Sequence, residues 1–137
     1  MTGGVLFRVA AELYFLPATI ASRVLPMPVV ARVPGGPAEL VGVALVEGEM
    51  VPIVALAPID TRGPRRQTTA DRPRADNRPM LVCTYLGERV GLVGLEIIAT
   101  GRFQTADPEH VTHGGATAAL FDVGAVFSRL REARWAV

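Results

Sequence analysis

Lysine is missing from this chain of 137 residues, and all fourteen basic residues are arginine. Nothing in the chain's chemistry accounts for that choice. Aromatic residues are scarce at 6%, so any core must be aliphatic. The single cysteine, Cys83, excludes an internal disulfide and fits a reducing compartment. Charge of one sign is also lacking: the net charge of +1 argues against a dedicated nucleic-acid binder. No uninterrupted apolar run reaches membrane length. Met1-Thr2-Gly3-Gly4 leads straight into a strand-like run, without a basic segment or a small-residue cleavage site. A soluble cytoplasmic protein, with no secretory signal and no membrane insertion, is therefore expected.

Catalytic signatures are equally thin. The only serines, Ser22 and Ser128, stand outside any Gly-x-Ser-x-Gly elbow. Cys83 lies in a valine-rich strand, where a buried thiol is usually an inert small apolar group. No phosphate loop or dinucleotide fingerprint is present, because the paired glycines at Gly35 and Gly114 lack the required strand–helix context. Glu47 and Glu49 sit on one predicted turn, where nothing separates their pKa values for acid–base work. His110 and His113, in DPEHVTH, could meet one metal if the segment were helical. Asp107 and Glu109 do not complete a ligand spacing there, and no cysteine is near. The expectation is no catalytic site, no cofactor and no metal; a small enzyme using the His110/His113 region is the remaining alternative from that class.

Half of the residues are hydrophobic, which suits one domain or two small subdomains around a shared core. The most informative stretch is Leu40–Leu56, LVGVALVEGEMVPIVAL. Two valine-rich runs flank Glu47-Gly48-Glu49, and Gly48 can take the positive φ of a tight reversal. The rival reading, one membrane-spanning helix, puts two carboxylates at its centre at about 2.5–3.5 kcal/mol each, with Gly48 and Pro52 as further breaks. A β-hairpin with an acidic tip is predicted.

Before it, Val5–Leu16 reads as two short strands about a weak Ala10-Ala11-Glu12 turn. Pro17 then opens a segment with Ile20 and Val24 at helical spacing, which predicts a helix of about two turns ended by Pro26 and Pro28. Val29–Val33 is strand-like, and Pro34-Gly35-Gly36-Pro37 is a turn. After Pro58, residues 60–79 hold six arginines and three prolines with almost no apolar content. Such a stretch reads as a solvated loop or linker; an arginine patch for acidic partners is the functional alternative. Met80–Phe103 repeats the hairpin pattern about Gly87-Glu88-Arg89. Gln104–Gly115 reads as a polar loop, Ala116–Val123 as a strand, and Ala125–Trp135 as a terminal helix with Val126, Phe127, Leu130 and Ala133 on one face.

In that order the segments FRVAAELYFLP, RVPGGPAELVGV, EGEMVPIVAL, LGERVGLVGLEI and LFDV resemble the CheW-like domain, the adaptor of bacterial chemosensory arrays. The resemblance runs from about Leu6 to about Phe127. It implies a mainly β fold of two tandem SH3-like barrels over residues 1–137, with a short helix after the first strand pair and a C-terminal helix. The subdomains would span about 17–79 and 80–123, with strands 5–16 and helix 124–135 packed on them. It also implies a non-catalytic adaptor that couples the cytoplasmic tip of a methyl-accepting chemoreceptor to the regulatory domain of a CheA-type histidine kinase, with other CheW-like domains as further partners. The receptor tip would enter a groove between subdomains, and the barrel ends would meet kinase domains. The expected partner-binding residues are Ile20, Val24, Val33, Val43, Glu47, Val90 and Leu92, at least half of the apolar ones being plain core.

The polar positions depart from the family hairpin, which reads close to R-G-V-x-N-L-R-G-x-x-x-P-V-x-D-L. Val41 and Glu47 replace its arginines, Leu45 its Asn and Ala55 its Asp, and Leu95 stands where a second Asp is usual. Between His113 and Asp122 there is room for one strand where the family commonly fits a hairpin. Arg to Glu turns a bidentate donor into an acceptor and reverses the charge offered to a partner. The expectation is an adaptor of altered interface polarity, or alternatively a capping or competing β-domain that keeps only one of the usual partners. Trp135 could dock a partner or seal a barrel.

Overall fold

The computed structural model describes residues 1–34, 36–57 and 76–132. Most of the arginine-rich 60–79 segment lies outside them, as does Trp135. Ten strands and one helix follow in order: β1 (Thr2–Val9), β2 (Glu12–Pro17), β3 (Ala21–Met27), β4 (Leu40–Val46), β5 (Glu49–Ala55), β6 (Asp76–Tyr85), β7 (Glu88–Val93), β8 (Glu96–Asp107), β9 (His110–His113), β10 (Ala116–Leu120) and α1 (Val123–Glu132). The mainly β class, the two barrel-like sheets and the C-terminal helix are as the sequence implied.

The barrels are nested along the chain rather than tandem. One is closed in the order β1-β2-β10-β9-β8, from the two ends of the chain, and the middle supplies the order β3-β6-β7-β5-β4. The expected boundary at 79/80 falls inside β6. Crossing strands explain this: β2 pairs in parallel with β10, and β5 with β7, so sequence-distant segments become neighbours. One isolated bridge outside the strands, where Ala31 and Val43 exchange two N–H···O bonds of 2.8 Å, ties the segment after β3 to β4. The strand expected over Val29–Val33 contributes only that bridge.

Strand faces sort the apolar residues into three cores. Leu6, Phe15, Phe103, Val111 and Ala118 fill the first barrel. Val46, Val51, Ile53, Met80 and Val82 fill the second. Between them, Phe7, Leu16, Val54, Leu81, Cys83, Val90 and Leu92 pack with Val126, Phe127 and Leu130 of α1. Neighbours along β1, β2, β5 and β6 thus point into different cores, which is why those strands read as continuous apolar runs rather than alternating ones.

Two local expectations fail. The helix expected after Pro17 is a turn followed by β3. Ile20 N–H donates to Pro17 O at 2.9 Å, and the chain then extends along β6. A helix of two turns is marginal alone, and β6 offers a full ladder instead. Pro26 is tolerated because β3 is an edge strand and Pro26, paired with Pro79, sits next to a register shift. The polar loop expected over Gln104–Gly115 and the single strand after it are instead the end of β8 and a β9–β10 hairpin. Polar β-branched residues form it, with Thr105 and Thr117 exposed and Thr112 half-buried, so it carries little apolar signal.

Gly42 sits beside that bridge with φ +156°, and a Cβ there would lie 2.2 Å from Ala31 O. Gly101 shares a positive φ, +140°, but faces open space. Gly42→Ala should therefore cost more than the roughly 1–3 kcal/mol of backbone strain alone, while Gly101→Ala stays within it, as read by urea denaturation. Equal losses would show that the Ala31–Val43 bridge is not under steric constraint.

Candidate functional site

A groove of about 420 Å³ runs between the barrels. Pro17 and Ile20 line one side, Tyr85 and the start of α1 another, and Ala119, Leu120 and Phe121 the third. Backbone bonds set these positions: Leu120 N–H donates to Glu109 O at 2.7 Å, and Phe121 N–H to Phe15 O at 2.9 Å. Rings fix the rest. Phe121 makes edge contacts with Phe7 and Tyr14 at 5.6 and 5.5 Å, and Tyr85 stacks on Phe127 at 5.9 Å. Leu120 is 44% exposed at the mouth.

The polar rim comprises Glu109, His110 and Asp122. Asp122 caps α1, accepting the Ala125 N–H at 3.1 Å, which satisfies one of the helix's unpaired donors. His110 Nδ1 lies 2.8 Å from Asp107 Oδ1, and Glu109 N–H donates to that oxygen at 2.8 Å. The histidine first, and the backbone donor second, hold the Asp107 carboxyl below its ordinary value. His110 and His113 cannot share one ion as a helical pair would, because on β9 residues three apart point to opposite faces. His113 packs edge-on against Phe103 at 5.5 Å.

A second region is the acidic tip. The Glu47-Gly48 turn has φ of +51° and +83°, a mirror-image turn that suits a two-residue hairpin. Glu47 is paired on both oxygens: Oε2 with Arg23 of β3, and Oε1 with Arg89 Nη2 of β7 at 3.0 Å. Arg89 Nη1 also donates to Glu49 Oε2 at 3.1 Å. Donation to Glu49 and then to Glu47 raises the Arg89 pKa. Two arginines and two glutamates cancel, so Glu47 does not present a lone negative charge. Nearby, Arg131 of α1 meets Glu88 at 2.7 Å and Arg129 meets Glu39 at 3.2 Å, tying the helix to the second barrel.

The expected site residues scatter. Ile20 alone of the seven lines the groove. Val24 is 41% exposed on edge strand β3, and Val33 and Val43 are half-buried away from the groove. Val90 and Leu92 are fully buried in the shared core, among the apolar residues expected to be plain core. Leu95, the departure from Asp, is buried in the same core, and Ala55 packs on the second barrel's core. Sequence reasoning missed Tyr85, Leu120, Phe121 and Asp122, although the LFDV segment held three of them. Cys83 is buried, and desolvation pushes its thiol up to about 12.

The sequence model of the CheW-like domain family matches residues 3–128. Among solved structures, the scaffolding protein TtCheW from Thermoanaerobacter tengcongensis superposes with a TM-score of 0.57 at 18% identity, covering 88% of each chain. No curated protein matches the sequence. Among the described residues, no helix is long and apolar enough to cross a membrane.

Native Cys83 should resist thiol-specific reagents at pH 8 and react once the chain is unfolded in urea; fast native labelling would contradict its burial. Because its pKa is raised from 9.0 to about 12, the stability tied to the neutral thiol is complete below pH 9 and is lost as pH climbs from there. Glu47→Arg sets three arginines together. Its urea midpoint should fall at low salt and recover at about 1 M salt, where the screening length is about 3 Å. A deficit indifferent to salt would mean that charge is not the cause.

Proposed function

The chain belongs to the CheW-like domain family, and on that premise we propose that it is a non-catalytic chemosensory adaptor. It couples the cytoplasmic tip of a chemoreceptor to the regulatory domain of a CheA-type histidine kinase. The observation that carries this reading is the groove between the two barrels. It is open at its mouth, apolar along Ile20, Leu120 and Phe121, and walled by rings already fixed by their neighbours. A helix with an apolar stripe fits such a site at low ordering cost, since the walls need not rearrange. The resemblance assigns the receptor tip to a groove between the subdomains.

Kinase contact is assigned to the barrel ends. At the second barrel, Leu45 and Met50 face each other across the β4–β5 hairpin and are 66% and 60% exposed. These side chains and the paired charges at Glu47 would form the docking face. Its polarity differs from the family's, because an arginine donor is replaced by a carboxylate already engaged by Arg23 and Arg89. The same feature favours a second reading, in which the chain keeps the receptor contact and loses the kinase contact, acting as a cap or competitor in the array.

Titration of the full chain with a receptor-tip fragment and, separately, with a CheA regulatory domain distinguishes these. An adaptor binds both. Leu120→Arg should weaken receptor binding at least about tenfold, the equivalent of 1.4 kcal/mol, and leave kinase binding unchanged. Receptor binding alone would select the capping role. Binding to neither, or indifference to Leu120→Arg, would overturn the assignment of the groove.

A further inference from the structure

Resting on the groove as the receptor-helix site, we propose that it selects a helix carrying arginine or lysine beside its apolar stripe, approaching closely at Gly124. Two independent features of the groove point this way. The first is charge. The chain's only strong bases are arginines, and among the described residues none of them lines the groove, whereas Glu109 and Asp122 do. The nitrogen base on the rim, His110, is engaged by Asp107. Asp122 spends part of its charge on the N-terminus of α1, but the Glu109 carboxylate has no side-chain partner among the described residues. The rim is therefore acidic and its complement is basic.

The second feature is a glycine where the backbone does not ask for one. Gly124 lies in the first turn of α1, and its φ is not in the left-handed region. Glycine in a helix is unfavourable relative to alanine, so the backbone gives no reason for it. The groove does. A Cβ at 124 would sit 3.3 Å from Asp122 Oδ1 and 3.4 Å from Tyr85 Oη, crowding the wall between the acidic rim and the aromatic side. Without a side chain there, a partner helix can bring its own backbone against α1 while its basic residue reaches Asp122 and Glu109.

The test uses a receptor-tip helical hairpin made in two versions, with arginine or glutamate beside the apolar stripe, titrated against the full chain by fluorescence anisotropy at low salt. The arginine version should bind at least about tenfold tighter, and the ratio should fall towards one with Glu109→Gln and Asp122→Asn together, the Asn preserving the helix cap. Gly124→Met should weaken both versions in a chain whose circular dichroism shows that it remains folded. Equal affinity for the two versions, or preference for the glutamate version, overturns the charge selection. If Gly124→Met still weakens both in that case, the groove reading stands without it. If Gly124→Met changes nothing, both the close approach and the groove reading fall.

Discussion

The structure depends on strands that bury both of their faces. Along β6, Met80 and Val82 enter one core while Leu81 and Cys83 enter another. Along β1, Leu6 and Phe7 divide in the same way. A strand of this kind cannot leave one barrel without emptying the core it shares with the other. At about 25 cal/mol per Å² of apolar area, burial of that shared core opposes separation of the barrels. The groove therefore has fixed walls: Ile20 follows a strand of the first barrel, Tyr85 ends a strand of the second, and α1 spans the junction.

Charge is arranged around this frame without entering it. Among the described residues, no polar or charged side chain is buried. The ion pairs lie at the surface, where each contributes little stability and depends on salt. Their value is positional. Glu47 links β3 to β7 through Arg23 and Arg89, and Arg129 and Arg131 hold the last turns of α1 against the second barrel. A replacement that looks like a charge reversal in sequence is a neutral cluster in space. A partner meets the whole cluster rather than one residue.

Legibility in the sequence followed physical locality. The β4–β5 and β6–β7 hairpins were readable because a two-residue turn needs positive φ, and Gly48 and Gly87 announce it. The β9–β10 hairpin was not, because threonines and short polar runs carry no apolar alternation. Helical spacing at Ile20 and Val24 was misleading: pairing with β6, far along the chain, sets Ala21 against Cys83 and Arg23 against Val82 and overrode local preference. The same non-locality hid the groove. Apolar residues at valine-rich positions suggested a binding surface at Val90 and Leu92, yet two-sided burial makes these core. The groove instead forms where β10 meets β2 in parallel, a pairing that no local pattern encodes.

The proposed partner helix lies between the barrels, against Ile20, Tyr85 and Phe121. Amide chemical-shift mapping of the labelled chain with an unlabelled receptor-tip fragment tests it directly. The account predicts that the largest changes cluster at Ile20, Tyr85, Leu120, Phe121 and Gly124, with the Glu47–Glu49 tip unmoved. Changes confined to that tip, or a spectrum unaltered by saturating fragment, would contradict it.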